Sequence, residues 1–340
     1  MENAAARYRL YLALVGMGFI GPHQMRAARG VLSPRLDVDT CVPEQDPDRF
    51  DEFGIPKALR FGFERRHVYR GLGELLANED VDGAIIATRN NRHRADALEC
   101  MEAGVAPVSE KPLSDTLENA DVMLEAARKF GLSRTCVLPS YTGHAANLEA
   151  RHIVRTRKPV FRHGKAGYLQ KWLRKLLATM TAAEGHDLAA WRKDPKQSGA
   201  GVTGDLIAHL LHETVFILGM PIVEARAERR WFVEGQASGQ TEDTCFGQVR
   251  FENDGILELT AIQWAVGNQN NNTWDLFFDG LTLGWKQRTP EILYYSEGDD
   301  CVEKNRGGFG TPLTGATNSM PAFHSDGWSD ADGRLLNSWA

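Results

Sequence analysis

Three glycines near the start of the chain and an aspartate–histidine pair past its middle have the types and spacing to do chemistry. Gly16-x-Gly18-x-x-Gly21 follows the apolar run Leu10–Val15 and leads straight into a helical pattern opened by Pro22. A dinucleotide pyrophosphate needs that order of strand, glycine turn and helix. The first glycine permits the tight turn, the second lets backbone approach the phosphates, and the third lets helix and strand pack closely. The helix N-terminus then offers N–H groups to the anion. Cofactor contacts are expected at Gly16, Gly18, Phe19, Ile20 and Gly21. Pro22 suits the first helical turn, where a missing N–H costs nothing.

Asp205 and His209 follow the glycine-rich stretch 199–204 and open an apolar helical run that ends at Gly219. Four residues apart, they share one helical face. A carboxylate beside an imidazole can serve as an acid–base pair: the carboxylate raises the histidine pKa, and burial lowers it. A capping aspartate beside a satisfied core histidine is the competing reading. His212 and Glu213 extend the cluster, but His-x-x-His-Glu is neither HExxH nor HxxEH. Both are expected to point away from the Asp205 face, and no metal is expected.

These residues need elements to carry them. Over residues 1–137, apolar runs at Leu10–Val15, Leu36–Val42, 83–88, 107–110 and 134–138 alternate with helical patterns at 22–29, 47–53, 72–77, 92–103 and Leu117–Phe130. Alternation of that kind implies an α/β fold with a parallel, doubly wound sheet, and ligands on such sheets sit beyond the strand C-termini. Polar candidates follow those strand ends. Glu44 lies 23 residues beyond Gly21. A carboxylate there can bind the adenosine ribose hydroxyls and would repel a 2′-phosphate, favouring NAD over NADP; an exposed loop carboxylate is the alternative. Thr88, Asn90 and His93 follow the strand at 83–88, and Glu110-Lys111-Pro112 follows the next. Lys111, at a strand end above a cofactor, could reach both substrate and nicotinamide.

From residue 138 to 340 helical segments come first. Strands are then expected at 222–232, Thr244–Phe251, 256–266, 274–278, 281–287 and 291–295. The turn sequences Asn253-Asp254-Gly255 and Asp279-Gly280 imply hairpins and a mainly antiparallel sheet in an α+β second domain. The tail from about residue 307 reads as a long loop.

Composition narrows the classes. A net charge of −6 without a block of like charges argues against a nucleic-acid binder. Five scattered cysteines form neither a disulfide framework nor a zinc site, and Cys41, Cys100 and Cys136 read as core thiols in a reducing compartment. No window reads as a membrane span and no basic leader precedes the chain, so a cytoplasmic protein is expected.

Taken in order, Gly16-x-Gly18-x-x-Gly21, Ala87-Thr88-x-Asn90, Glu110-Lys111-Pro112, Trp191-Arg192-x-Asp194-Pro195 and Gly204-Asp205-x-x-x-His209 resemble the glucose–fructose oxidoreductase/inositol dehydrogenase/MocA (Gfo/Idh/MocA) family. Tyr141-Thr142-Gly143, Glu242-Asp243-Thr244, Phe251-Glu252-Asn253 and Gly267-Asn268-x-Asn270 extend the match to about residues 8–328. The resemblance implies an N-terminal Rossmann domain and a C-terminal domain with a large open sheet, often used to form homo-oligomers such as dimers or tetramers. It implies NAD(P)-dependent oxidation or reduction of a sugar, inositol or related polyol. By the same resemblance Lys111 contacts the substrate hydroxyl and nicotinamide ribose, Asp205 orients the sugar, and His209 is the general acid/base. Tyr141 and Trp191 line the pocket, with His324 on a nearby loop. Relatives that use bound NAD only transiently, and a non-catalytic sensor, are the rival functions. Arg89 stands where the family has proline, and Leu206-Ile207-Ala208 replaces Ile-Gly-Thr. Family members commonly continue past residue 328 with a further helix or two, so a less enclosed site is expected here.

Overall fold

The structure is a computed structural model that describes residues 9–30, 36–173, 190–233, 240–304 and 327–339. These divide into two compact units. The first runs to Leu138 and includes Asp332 onward; the second takes the residues between.

The first unit begins with β1 (Leu10–Val15), α1 (Gly21–Ala28), β2 (Leu36–Val42), α2 (Ile55–Arg60) and α3 (Leu72–Asn78). It continues through β3 (Gly83–Ile86), α4 (Asn90–Glu102), β4 (Ala106–Glu110), α5 (Leu117–Phe130) and β5 (Cys136–Leu138). The strands form one parallel sheet in the order β2-β1-β3-β4-β5. Leu12 to Val15 are fully buried, as a parallel strand covered on both faces must be. Strand order reverses between β1 and β3, which makes a crevice at their C-terminal ends. Gly16, Glu44, Thr88 and Lys111 all follow C-terminal ends of this sheet, so the topology gathers them along one edge.

The second unit contains α6 (Ala145–Arg157), β6 (Phe161–Gln170), α7 (Ala208–Leu218) and seven further strands. These are β7 (Ile222–Arg230), β8 (Thr244–Phe251), β9 (Ile256–Ile262), β10 (Asn270–Phe278), β11 (Leu281–Lys286), β12 (Leu293–Glu297) and β13 (Asp300–Lys304). Their order is β13-β12-β11-β10-β6-β9-β8-β7. All neighbours are antiparallel except β6 and β9. The mainly antiparallel sheet is as expected, but β6 and β13 lie outside the expected strands, and β6 is central. Its inward positions Phe161, Gly164, Ala166 and Tyr168 are buried. A Cβ on Gly164 would lie 2.9 Å from the Leu257 and Leu276 side chains, so the glycine lets those leucines of β9 and β10 pack closely over β6. Helices α6 and α7 share the core of this sheet with Trp274 and Trp285.

The helical run Pro195–Leu218 has the length and hydropathy of a membrane span, contrary to expectation. Over half of its apolar window is buried within the protein, and it serves here as a core helix. The end of the chain also differs from the expected loop: α8 (Trp328–Trp339) is helical. Leu336 is buried in the core of the first unit, with Leu335 and Trp339 packed beside it. All five cysteines are free thiols; Cys41 and Cys100 are buried, Cys136 is partly so, and Cys301 is exposed. Leu336→Ala is expected to destabilise the first unit by about 2–4 kcal/mol. Val302→Ala, at an exposed position, should change stability by less than about 0.5 kcal/mol, both read from urea unfolding.

Candidate functional site

In the first unit the three glycines divide their work as the spacing implies. Gly16 has φ +91°, and a Cβ there would sit 2.7 Å from the Ala87 carbonyl oxygen. A Cβ on Gly21 would lie 2.1 Å from the Gly16 carbonyl oxygen, whereas one on Gly18 would meet nothing within 4 Å. Gly16 and Gly21 are therefore fixed by the protein itself, and Gly18 faces open space. No side chain caps the N-terminus of α1, where Ile20 precedes the first turn, and Phe19 is exposed. A cradle with an uncapped helix end and no Cβ in the way fits a dinucleotide pyrophosphate.

The remaining first-unit candidates split into those at the surface and those beneath it. Glu44 is half-buried. Its Oε1 accepts from the backbone N–H groups of Gln45 and Asp46 at 3.0 and 3.2 Å. Its Oε2 lies 3.5 Å from Arg49 Nε. Lys57 Nζ donates to the Gly18 carbonyl at 3.2 Å; burial lowers its pKa and the Glu44 charge opposes that. Thr88 donates to Asp96 at 2.7 Å, and the other Asp96 oxygen accepts from Gln45 at 3.1 Å and Arg92 at 3.2 Å. Fully buried Asp96 thus ties the end of β3 to the loop after β2, a role the sequence reading missed. Asn90 is the first residue of α4 and Arg89 precedes it with extended backbone.

Two expected cofactor residues turn inward. His93 is 1 % exposed, with Nδ1 2.9 Å from the Pro112 carbonyl and Nε2 3.2 Å from that of Thr88. Burial lowers its pKa. Its ring joins two backbone segments rather than facing a ligand. Glu110 is buried too, accepting from Gln24 of α1 and, at 3.1 Å, from the Lys111 backbone N–H. Burial pushes its carboxyl up while the Lys111 charge pulls it down. Glu110 therefore anchors the backbone of Lys111, whose own side chain is half-buried.

In the second unit Glu242 fixes the start of the helix that carries Asp205 and His209. Its Oε1 accepts from the N–H groups of Gly201 at 3.1 Å and Thr203 at 2.9 Å. Its carbonyl accepts from Val202 at 3.0 Å, and a Cβ on Gly201 would lie 2.0 Å from that carbonyl oxygen. Residues Thr203–Ile207 then form one wide turn in which the Ala208 N–H donates back to the Thr203 carbonyl. Wide turns of this type recur at functional sites. Asp205 Oδ2 accepts from Gln263 Nε2 at 2.9 Å.

His209 is 9 % exposed. Its ring meets the edge of Tyr141 at 4.8 Å between centroids and lies 6.0 Å from Tyr168. The two phenols are hydrogen-bonded to each other. Tyr168 donates to Asn270 Oδ1, which also accepts from Gln170 at 2.6 Å. Gln287 lies 3.2 Å from the Tyr141 hydroxyl. Burial raises both phenol pKa values, so both stay protonated. Trp191 is half-buried, with the Arg192 guanidinium 4.6 Å from its ring centroid. His324 lies outside the described residues. Contrary to expectation, Glu213 is fully buried in the core beneath His209, while His212 is exposed and stacks on Phe216. Among the described residues no three metal-ligating side chains converge.

Family models match residues 10–135, described as an oxidoreductase family with an NAD-binding Rossmann fold, and residues 163–280, described as a GFO/IDH/MocA C-terminal domain. The chain belongs to the GFO/IDH/MocA oxidoreductase family. Its NAD-binding fold matches the glycine cradle described above. One member, the 4-carboxy-2-hydroxymuconate-6-semialdehyde dehydrogenase of a Sphingobium species, is 31% identical over 295 residues, 80% of this chain and 81% of its own length. Levoglucosan dehydrogenase from Pseudarthrobacter phenanthrenivorans is 23% identical over 90% of this chain and 80% of its own length. An inositol dehydrogenase homolog from Azotobacter vinelandii, crystallised with NAD+, superposes with a TM-score of 0.83 at 23% identity, covering 97% of this chain and 85% of its own.

The glycine geometry separates folding from cofactor binding. Gly18→Ala should leave the melting temperature unchanged and weaken NADH binding by about tenfold or more, because the methyl enters only the ligand's space. Gly21→Ala should destabilise the fold itself, lowering the melting temperature measured without ligand.

Proposed function

We propose that this protein is an NAD-dependent dehydrogenase that oxidises a secondary hydroxyl of a sugar, inositol or related polyol. The observation that carries the reading is the setting of His209. A largely buried imidazole stands on a helix fixed at its start by Glu242, one turn from Asp205, among phenols and side-chain amides. Neutral donors and acceptors of this kind match hydroxyl groups. Family members that share the fold include structures with NADH and levoglucosan and with NADH and myo-inositol.

The nicotinamide supplies the hydride acceptor when bound. His209 takes the proton from the reacting hydroxyl, which requires hydrogen-bond reach in the bound state. Asp205, steadied by Gln263, orients the substrate. Lys111, its backbone anchored by Glu110, contacts the substrate hydroxyl and the nicotinamide ribose. Tyr141 and Trp191 line the substrate pocket. On the cofactor, the glycine turn from Gly16 through Phe19 and Ile20 to Gly21 holds the pyrophosphate. Glu44 takes the adenosine ribose hydroxyls, with Thr88 and Asn90 at the neighbouring strand end. Arg49 and Lys57 offset part of the Glu44 charge, so discrimination against NADP is expected to be moderate.

His209→Ala should lower turnover by about 10²–10⁴-fold with NADH binding unchanged, measured on a polyol panel that includes levoglucosan and myo-inositol. Loss of turnover and cofactor binding together would overturn its role as base. Nucleotide-fluorescence titrations should show NADH bound more tightly than NADPH, and Glu44→Ala should erase that preference. Cofactor that copurifies tightly, with no net NADH formed on any polyol, would replace net oxidation with transient use of bound NAD.

A further inference from the structure

Glu213 is a buried titratable residue that no step above uses. It lies on α7 one helical turn beyond His209 and is 1 % exposed. Its Oε1 accepts from Asn147 Nδ2 at 2.8 Å and its Oε2 from Asn272 Nδ2 at 2.6 Å. The same Asn147 amide donates to the Tyr141 carbonyl at 2.9 Å. The Tyr141 ring in turn meets His209 edge-on. Contacts therefore run from Glu213 through Asn147 and Tyr141 to His209.

Of the titratable and charged groups on the elements around Glu213, the buried phenols Tyr141, before α6, and Tyr168, on β6, interact with its charge. The same elements also carry His144, Glu149, Arg151, His152, Arg155 and Arg157 up to the end of α6, Arg162, His163 and Lys165 on β6, Asp205 in the wide turn, His209 and His212 on α7, and Asp275 on β10; Arg155, Arg157, Arg162 and Lys165 are exposed. Arg151 places its guanidinium over the Phe216 ring, 3.9 Å from the centroid, and His212 is exposed. Both hydrogen-bond partners of Glu213 are neutral amides, and among the described residues no ion pair includes it. A carboxylate removed from water without a cation is costly, and such a group takes up a proton instead.

We propose that Glu213 holds a proton in the working protein and acts as a positioning residue for His209: the neutral acid keeps Asn147 and Tyr141 in place, and loss of its proton sets the alkaline limit of turnover. The second half rests on His209 being the base. Burial pushes the Glu213 carboxyl up to about 8 from its usual 4.5, opposed by the two asparagine hydrogen bonds. The folded protein thus keeps a proton that the unfolded chain has already released. Its contribution to stability is present at low pH and is lost as pH rises from about 4.5 to about 8.

Infrared spectroscopy of the ligand-free protein labelled with 13C-carboxyl glutamate tests the proton directly. The wild-type minus Glu213→Gln difference spectrum, which cancels buried Glu110, should show a protonated-carboxyl band near neutral pH that disappears with a midpoint near 8. In kinetics with NAD and whichever of levoglucosan or myo-inositol turns over, the alkaline limb of kcat should share that midpoint. In Glu213→Gln the limb should move by more than about one pH unit while KM stays nearly constant. A wild-type protein without the band, or a folded Glu213→Gln that keeps the limb, overturns the proposal. If Glu213→Gln does not fold, Asn272→Ala serves. It removes a donor to the carboxylate, so band and limb should both move to higher pH, and a limb and band that stay in place overturn the proposal. Turnover retained by His209→Ala would remove the base assignment, while the infrared band still reports the Glu213 proton.

Discussion

Polar atoms taken out of water need partners, and the second unit supplies many of them from side-chain amides, although the amide oxygens of Asn147 and Asn272 themselves have none. Asn147 and Asn272 serve Glu213, Gln263 serves Asp205, and Asn270, Gln170 and Gln287 serve the two phenols. Each amide has both a donor and an acceptor, so a network of them can be closed without charge. His209 therefore sits in a polar interior of amides and phenols. Removing one amide would leave a buried group unpaired, at about 1–3 kcal/mol, so the network is stiff. Stiffness is what a proton acceptor needs, since a small misplacement of the imidazole lengthens the one contact on which proton transfer depends.

In the first unit the same constraint is met by carboxylates beneath the surface. Asp96 joins Thr88 to Gln45, and Glu110 joins Gln24 to the backbone of Lys111. His93 adds a third tie, between Thr88 and Pro112. These residues hold the loops after β2, β3 and β4 in register with one another, so the surface that meets a dinucleotide is set from below. Motif positions such as His93 and Glu110 are thus supports of the ligand surface.

How far the sequence could be read depended on local contrast. β1 and β2 were legible to the residue, because apolar runs end at glycine or at proline-containing turns. The helix with Asp205 and His209 was legible for the same reason. Glu213, expected to point away from the Asp205 face, is buried one turn beyond His209 between Asn147 and Asn272; the wide turn at Thr203–Ile207 breaks the regular helical count from Asp205. Glu242 stands in a motif of the resemblance, but its hold on Gly201 and Thr203, like the ties from Asp96 to Gln45 and from Gln24 to Glu110, joins residues far apart along the chain and shows only in the tertiary structure. β6 escaped notice because Arg162, His163 and Lys165 interrupt it and two of its inward positions are Gly164 and Ala166. Its identity as a strand comes from neighbours on both sides, not from its own composition.

That composition has a consequence during synthesis. β6 is the centre of the eight-stranded sheet, yet its partners β9 and β10 are about a hundred residues further along the chain. At ribosomal speeds of roughly 5–20 residues per second, β6 waits on the order of ten seconds for strands to pair with. A long apolar strand left unpaired that long would be a template for association with other nascent chains. The charges and glycines of β6 make it a poor template while it is alone. The lack of apolar contrast that conceals this strand in the sequence also shields it from premature partners.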